Sequence, residues 1–368
     1  MLKKITVTNT TIFEKKLEFD LSSIKNYEFN TDCVKDNIVK TALIYGKNAS
    51  GKSNLGWAMF DIVEHLTDFN TKQLPRGNFL NYLSDESVAT FEYVFFIDNV
   101  DIQYSYTKNA NRLLQTEQLR IDGQLVIDYT VNEPIVTHLE GTETLQKNID
   151  NPELSALKYI ERNTNLSATK DNERFKTFMQ CIKGFLLFKN IFASIGYIGS
   201  MSGSSNIYKN IIDNNNIENL ENFLNEAGIN VQLAITQAGT EPTIGFKLND
   251  TVVPIADIAS TGTVALILFY YWWQQIEQGK VTVLFIDEFD ASYHYELSAF
   301  IVEKLKEKNV QVFLTTHNTF LLSNDLIRPD CAYILKNNQI KPLHQLTDKD
   351  LRQAHNLEKL FRANSFNE

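Results

Sequence analysis

Leu43-Ile44-Tyr45-Gly46-Lys47-Asn48-Ala49-Ser50-Gly51-Lys52-Ser53 runs directly into Asn54-Leu55-Gly56-Trp57-Ala58-Met59-Phe60-Asp61-Ile62. A short apolar run ends at a glycine. Four residues later comes Gly51-Lys52-Ser53, and a helical pattern then begins. This is G-x-x-x-x-G-K-S in a strand–loop–helix setting, the context that a phosphate-binding P-loop requires. Successive backbone N–H groups from Asn48 through Ala49, Ser50, Gly51 and Lys52 to Ser53 would curl into an anion nest. Asn54 continues that phosphate-facing stretch into the first helical turn. Gly46 and Gly51 permit a close approach that a Cβ would obstruct. The helix N-terminus adds a positive dipole end. Lys52 would reach the β- and γ-phosphates of a nucleotide, and the Ser53 hydroxyl would ligate Mg²⁺.

Working outward, Leu2–Thr8, Lys15–Phe19 and Val39–Ile44 read as strands, and Ser53–Leu66 as the helix after the loop. The stretch 69–85 is polar and reads as loop. Val88–Phe96, Ile102–Tyr106, Leu113–Ile121 and Leu125–Tyr129 are strand-like, with turn signals at Asp98-Asn99 and Asp122-Gly123. They read as an antiparallel meander inserted after the first helix. From about 146 to 228 the spacing turns helical, with Asn-rich and Ser/Gly-rich connections, and this reads as a helical insertion. Strands return at Asn230–Thr236, Ile244–Leu248 and Thr251–Ile255. The apolar helix that opens at Ala259-Ser260-Thr261-Gly262-Thr263 should end near Gly279. Its aromatic run Tyr270–Trp273 reads as packing rather than as a base-stacking platform, which would need exposure.

Val281-Thr-Val-Leu-Phe-Ile286 then leads into Asp287-Glu288. Five of those six residues are apolar, as a central parallel strand buried on both faces requires. A buried strand ending on two carboxylates has the form of a Walker B motif. Asp287 would hold Mg²⁺, and Glu288, one residue further out, would polarise an attacking water. Tyr295–Lys306 is an ordinary amphipathic helix. It precedes the strand Val310–Leu314 and Thr315-Thr316-His317. A polar residue just beyond a buried strand lies at the carboxyl edge of the sheet, where open α/β folds bind ligands. His317 is therefore placed at a γ-phosphate. His294 is read as lying near the site or an interface, and the remaining histidines carry no such context.

The 368 residues are 43% hydrophobic and 22% charged, a globular balance, and the length suggests two or three domains. A formal net charge of −10 argues against a uniformly basic nucleic-acid binder but leaves room for a basic patch. Cys33, Cys181 and Cys331 are scattered without metal-type spacing and fit buried thiols in a reducing compartment. No run of 18 apolar residues exists, and the N-terminus reads as a strand rather than a signal peptide. A soluble, cytoplasmic protein with no membrane contact is expected.

Gly46–Ser53, Ser260-Thr261-Gly262, Asp287-Glu288 and His317 occur in the order Walker A, signature, Walker B, H-loop. In this the chain resembles the ABC-type ATPases. Its start (Ile5-Thr-Val-Thr-Asn9) and the broad gap between Walker A and signature resemble the SMC-like and OLD-like branch. Its closing segment, Thr347-Asp-Lys-Asp-Leu-Arg352-Gln-Ala-His-Asn-Leu-Glu-Lys-Leu-Phe361, resembles the end of the AAA-family ATP-binding proteins of abortive-infection, RloA-like systems. The resemblance covers about 1–68 and 250–361. It departs at the signature, where Ala-Ser-Thr-Gly-Thr replaces Leu-Ser-Gly-Gly-Gln. No Q-loop can be assigned, although 80–100 is where one belongs and Asn81 is a candidate. The Toprim nuclease domain of OLD proteins is not expected in the fifty or so residues after His317.

The expected fold class is therefore α/β: a P-loop NTPase of ABC-ATPase type with an antiparallel β subdomain and an inserted helical subdomain. Residues 1–145 and 229–346 form the core, including the meander over 88–130. Residues 146–228 form the insertion and 347–368 a helical tail. The resemblance implies ATP and Mg²⁺ as ligands, and a homodimer or higher homo-oligomer through the ATP site. In such a dimer Ser260 and Gly262 would cap, in trans, the γ-phosphate held by the partner. It further implies an anti-phage sensor or regulator acting with a separate effector or toxin protein. A DNA-clamping SMC-like ATPase of repair or chromosome maintenance is the other reading, so nucleic acid remains a possible partner. A transporter subunit fits poorly with the altered signature. A GTPase fits poorly because no Asn-Lys-x-Asp element follows the Walker motifs.

Overall fold

The computed structural model describes residues 1–68, 79–149, 151, 153–189, 196–199, 207–291 and 293–366. The loop read over 69–85 falls outside these residues from 69 to 78, as do Pro152 and most of the connection 199–206.

Two seven-stranded sheets dominate. In the first, Thr41–Tyr45, the strand that delivers the P-loop, lies between Gln311–Thr316 and Ala332–Lys336, parallel to both. Val283–Ile286, the Walker B strand, pairs in parallel with Gln311–Thr316 on one side and Phe185–Lys189 on the other. Antiparallel strands Gly196–Gly199 and Gln339–Pro342 close the two edges. The burial follows the sequence: every residue of Thr41–Tyr45, Val283–Ile286 and Gln311–Thr316 is buried. A strand covered on both faces needs no alternation.

The second sheet is antiparallel throughout, in the order Val136–Thr137, Gln124–Thr130, Leu114–Ile121, Val100–Asn109, Val88–Ile97, Leu2–Thr8, Leu17–Asp20. The expected meander is present, but it is not a free-standing insertion. Val88–Ile97 pairs with Leu2–Thr8, so N-terminal and meander strands form one sheet. Its strands alternate, as a sheet with one covered face should. Phe19 packs edge-on against Phe313 (5.8 Å) and Tyr333 (4.9 Å), which joins the two sheets at one end. Gln311 bridges them directly. Its Oε1 accepts the Leu2 N–H at 2.8 Å, and its Nε2 donates to Leu2 O at 2.8 Å and Val39 O at 2.9 Å.

The P-loop helix, Lys52–Leu66, lies between these sheets. Phe60 meets Phe185 and Phe285 of the parallel sheet at 5.4 and 6.5 Å. From the other side Tyr93 donates to Ala58 O (2.8 Å) and Tyr106 to an Asp61 carboxylate oxygen (2.8 Å). Lys108 pairs with Asp61 at 2.7 Å and Glu64 at 2.8 Å. A second buried chain runs from His65 Nε2 to Tyr104 Oη (2.7 Å), and Tyr104 donates to Glu117 (2.5 Å). Glu117 also accepts from Ser155 Oγ and the Ala156 N–H at the start of the helix Ala156–Asn163. Because the Tyr104 proton goes to Glu117, the imidazole must supply the proton at Nε2. Beyond the parallel sheet, helices Ile217–Glu226, Thr261–Glu277 and Tyr295–Lys306 meet through Phe223, which contacts Phe269, Tyr270 and Phe300. Trp272 packs on Phe188, so the aromatic run serves packing as expected.

The reading of 146–228 as a helical insertion needs correction. Its helices are there, at Ala156–Asn163, Lys170–Lys183, Ile207–Asp213 and Ile217–Glu226. Between them, however, Phe185–Lys189 is an inner strand of the nucleotide-binding sheet. Phe185, Leu186, Leu187 and Phe188 are all buried, so the run shows no strand alternation, and an unalternating apolar run reads equally as buried helix. The tail holds one short helix, Leu357–Arg362, docked by Phe361 on Tyr45 (5.8 Å). Cys33 and Cys331 are buried free thiols and Cys181 is half-buried. Among the described residues no helix is long and apolar enough to cross a membrane.

Candidate functional site

The P-loop strand stops at Tyr45 and the chain turns through Ala49 (φ 62°) and Gly51 (φ 103°) before the helix starts at Lys52. Both positions need the left-handed region, which Gly51 enters without a side-chain penalty. A Cβ on Gly46 would lie 2.8 Å from Leu335 O and against Ser50 Oγ, so that glycine is required by close approach. Lys52 is buried and folds back over the loop, donating to Gly46 O at 2.8 Å and Lys47 O at 3.3 Å. Burial lowers its pKa, against the opposing pull of Asp287 and Glu288. The ammonium thus lies within electrostatic reach of the two Walker B carboxylates while its hydrogen bonds go to loop carbonyls.

Across the sheet, Asp287 is buried at the end of the Walker B strand. Its Oδ2 accepts from Ser53 Oγ at 2.5 Å and its Oδ1 from Thr315 Oγ1 at 2.6 Å. The next residue, Glu288, is half-buried in left-handed backbone (φ 48°), where a non-glycine residue pays about 1–2 kcal/mol. Its N–H donates to Thr315 Oγ1 at 2.7 Å. That kink turns the backbone out of the line of the strand.

His317 is exposed at the end of its strand and shares with P-loop residues 46–50 a cleft of about 740 Å³, which Asn338, Phe361 and Phe366 also line. Beside it Asp290 has its pKa raised by burial, partly offset by the Thr316 side chain, with smaller lowering by His317 and Asn318. Ser260 caps the helix Thr261–Glu277, accepting from the Thr263 N–H at 3.2 Å. Ser260 and Thr261 are exposed, Gly262 is half-buried, and none lines the cleft beside its own P-loop.

The fold thus brings Lys52, Ser53, Asp287 and Glu288 together, sets His317 at the rim, and leaves Ser260–Gly262 facing outward. Asn48 and Ala49 are exposed on the loop; Asn54 is half-buried in the first helical turn. Asn81, the Q-loop candidate, has its Nδ2 donating to Thr11 O and its Oδ1 accepting the Leu83 N–H. His294 caps the helix Tyr295–Lys306 through Nδ1 and is exposed.

These residues fit a nucleotide and a divalent cation. The Ser50 hydroxyl is buried in the loop with no partner among the described residues, as an atom awaiting a phosphate oxygen would be. Ser53 Oγ and Asp287 Oδ2 form a close pair of oxygen donors, the set a hard cation prefers. Sequence reasoning missed Thr315, the residue that touches both Walker B residues. Its only signal was a second hydroxyl before the histidine.

The model of one protein family, described as AAA domain, putative AbiEii toxin, Type IV TA system, matches residues 42–323. The chain belongs to this family. No curated protein matches its sequence. Among solved structures it is similar to the Smc head domain with an extended coiled coil bound to the C-terminal domain of ScpA derived from Pyrococcus furiosus. That match has 10% identity over 94% of this chain and 97% of the other, with a TM-score of 0.53. The SMC head domain from Thermotoga maritima aligns at 15% identity over 93% and 98%, with a TM-score of 0.46. At these identities the likeness concerns the fold, which is that of an ABC-type ATPase head. The family is of the AAA/ABC ATPase type, whose members typically bind nucleotide and Mg²⁺.

Proposed function

We propose that this AAA-family protein is an ATP-hydrolysing switch that closes as a homodimer around two nucleotides. The observation that carries the reading is the Asp287 carboxylate held against Ser53 Oγ at the mouth of a P-loop whose Lys52 is buried and whose Ser50 hydroxyl is unpartnered. Lys52 exchanges its loop carbonyls for the β- and γ-phosphate oxygens. Ser53 and Asp287 hold Mg²⁺, which when bound neutralises charge on those phosphates. Glu288 orients and polarises the attacking water. His317 hydrogen-bonds the γ-phosphate from the rim. The outward-facing Ser260 cap and the helix dipole behind it complete the γ-phosphate site of a second copy.

We further propose that the switch serves an anti-phage, toxin–antitoxin type of system and acts on a separate effector protein. The description of the family supports this. The test is ATP turnover by the purified chain. Wild type is expected to hydrolyse ATP in a Mg²⁺-dependent way, and Lys52→Ala to lose nucleotide binding or turnover. Unchanged binding and turnover by Lys52→Ala would remove the P-loop from the mechanism.

A further inference from the structure

We infer that Thr315 is a positioning residue that fixes both Walker B carboxylate residues through one hydroxyl. The inference rests on the ATPase reading and names a residue outside its four motifs. Thr315 is fully buried on the strand Gln311–Thr316. The parallel ladder with the Walker B strand ends at Ile286 opposite Leu314. Thr315 is therefore the first residue past the last rung, level with the point where the Walker B chain leaves the sheet.

There its side chain substitutes for the missing rung. Oγ1 accepts the Glu288 N–H at 2.7 Å, and the Phe289 N–H reaches Thr315 O at 3.2 Å. The left-handed turn at Glu288 is thus tied at both ends to one residue. The same hydroxyl has one proton, and it donates that proton to Asp287 Oδ1 at 2.6 Å. With Oδ1 held there, the carboxylate plane cannot rotate freely, and Oδ2 is presented to Ser53 Oγ at 2.5 Å.

The polarity runs one way. Glu288 donates to Thr315, which donates to Asp287, and Asp287 accepts from Ser53 as well. Each Asp287 oxygen thus accepts one hydroxyl proton, Oδ1 from Thr315 and Oδ2 from Ser53. Thr315 itself is fully buried and does not line the cleft. Its loss should misplace the groups that act during hydrolysis while leaving the loop that grips the triphosphate in place. A valine would keep the shape and remove the hydroxyl, leaving a buried N–H and a carboxylate oxygen unpaired. A serine would keep the hydroxyl and drop only a methyl group.

The experiment compares wild type, Thr315→Val and Thr315→Ser, with Thr315→Ala replacing the valine variant should that not fold. Three quantities are read: steady-state kcat and KM for ATP, the Mg²⁺ concentration at half-maximal binding of a fluorescent ATP analogue, and the melting temperature without nucleotide. For Thr315→Val we expect kcat to fall about tenfold or more with KM changed by less than about threefold, and the Mg²⁺ midpoint to rise severalfold. Thr315→Ser should recover most of both, and all variants should melt within a few degrees of wild type. Wild-type kcat and Mg²⁺ midpoint in Thr315→Val would overturn the inference. So would a Thr315→Ser protein as impaired as Thr315→Val, which would assign the effect to methyl packing. If wild type binds the analogue but does not turn over ATP, the hydrolysis reading fails on its own, and the Mg²⁺ midpoints still decide Thr315.

Discussion

Lys108→Met removes the ammonium that ties the P-loop helix to the antiparallel sheet. Lys108 is 1% exposed, Asp61 5% and Glu64 11%, with separations of 2.7 and 2.8 Å. Methionine keeps most of the stem's packing and removes the charge. Breaking a buried ion pair by deleting one partner costs about 3–5 kcal/mol, because the other charge is left uncompensated. At roughly 1.3 °C per kcal/mol for a chain of this size, the melting temperature should fall by about 4–6 °C. The loss also has a sign in pH. Burial raises the Glu64 pKa from 4.5, and Lys108 is the main opposing pull. Without Lys108 the folded pKa rises further. A carboxylate with a raised folded pKa contributes stability below its unfolded value, and that contribution is lost as pH rises through the folded value. The deficit of Lys108→Met should therefore be small near pH 4.5 and larger at pH 8. Thermal melts of both proteins across that range measure it. A deficit under about 1 kcal/mol, or one independent of pH, would refute the reasoning, since the pair would then be too well solvated to matter.

Other expectations follow from single contacts. Gly46→Ala should weaken nucleotide binding about tenfold or more and destabilise by about 1–3 kcal/mol, because the new methyl group meets the Leu335 carbonyl at 2.8 Å; equilibrium binding and melts check this. Burial, aided by Lys108, holds the His65 pKa well below 6.5, so the folded imidazole is neutral. Its contribution is complete above pH 6.5 and is lost as pH falls below it. The stability advantage of wild type over His65→Gln should shrink by about 1.4 kcal/mol per pH unit below that value, as denaturant titrations between pH 7 and 5 would show.

The motifs were legible because each is local. Gly46 to Ser53 and Val281 to Glu288 carry their chemistry in contiguous residues, and the structure sets their strands in one sheet on either side of Gln311–Thr316. What stayed hidden depends on partners far along the chain. Phe185–Lys189 could not be recognised as a central strand, because a run buried on both faces has no period. The pairing of Leu2–Thr8 with Val88–Ile97 is set by tertiary packing over more than eighty residues. Thr315 looked like one polar residue at a strand end. Its role emerges only when the parallel register places it beside Asp287. Asn81 shows the converse: an amide in the right region of sequence is hydrogen-bonded to its own turn at Leu83 and to the distant Thr11 carbonyl.

The most direct measurement is the solution mass of Glu288→Gln protein with and without Mg-ATP. If Glu288 polarises the attacking water as proposed, its loss should trap the nucleotide-bound state, and the mass should rise from one chain to two on adding Mg-ATP. Ser260→Arg in the same background should abolish that rise. A protein that remains a single chain while saturated with ATP would contradict the shared-site switch.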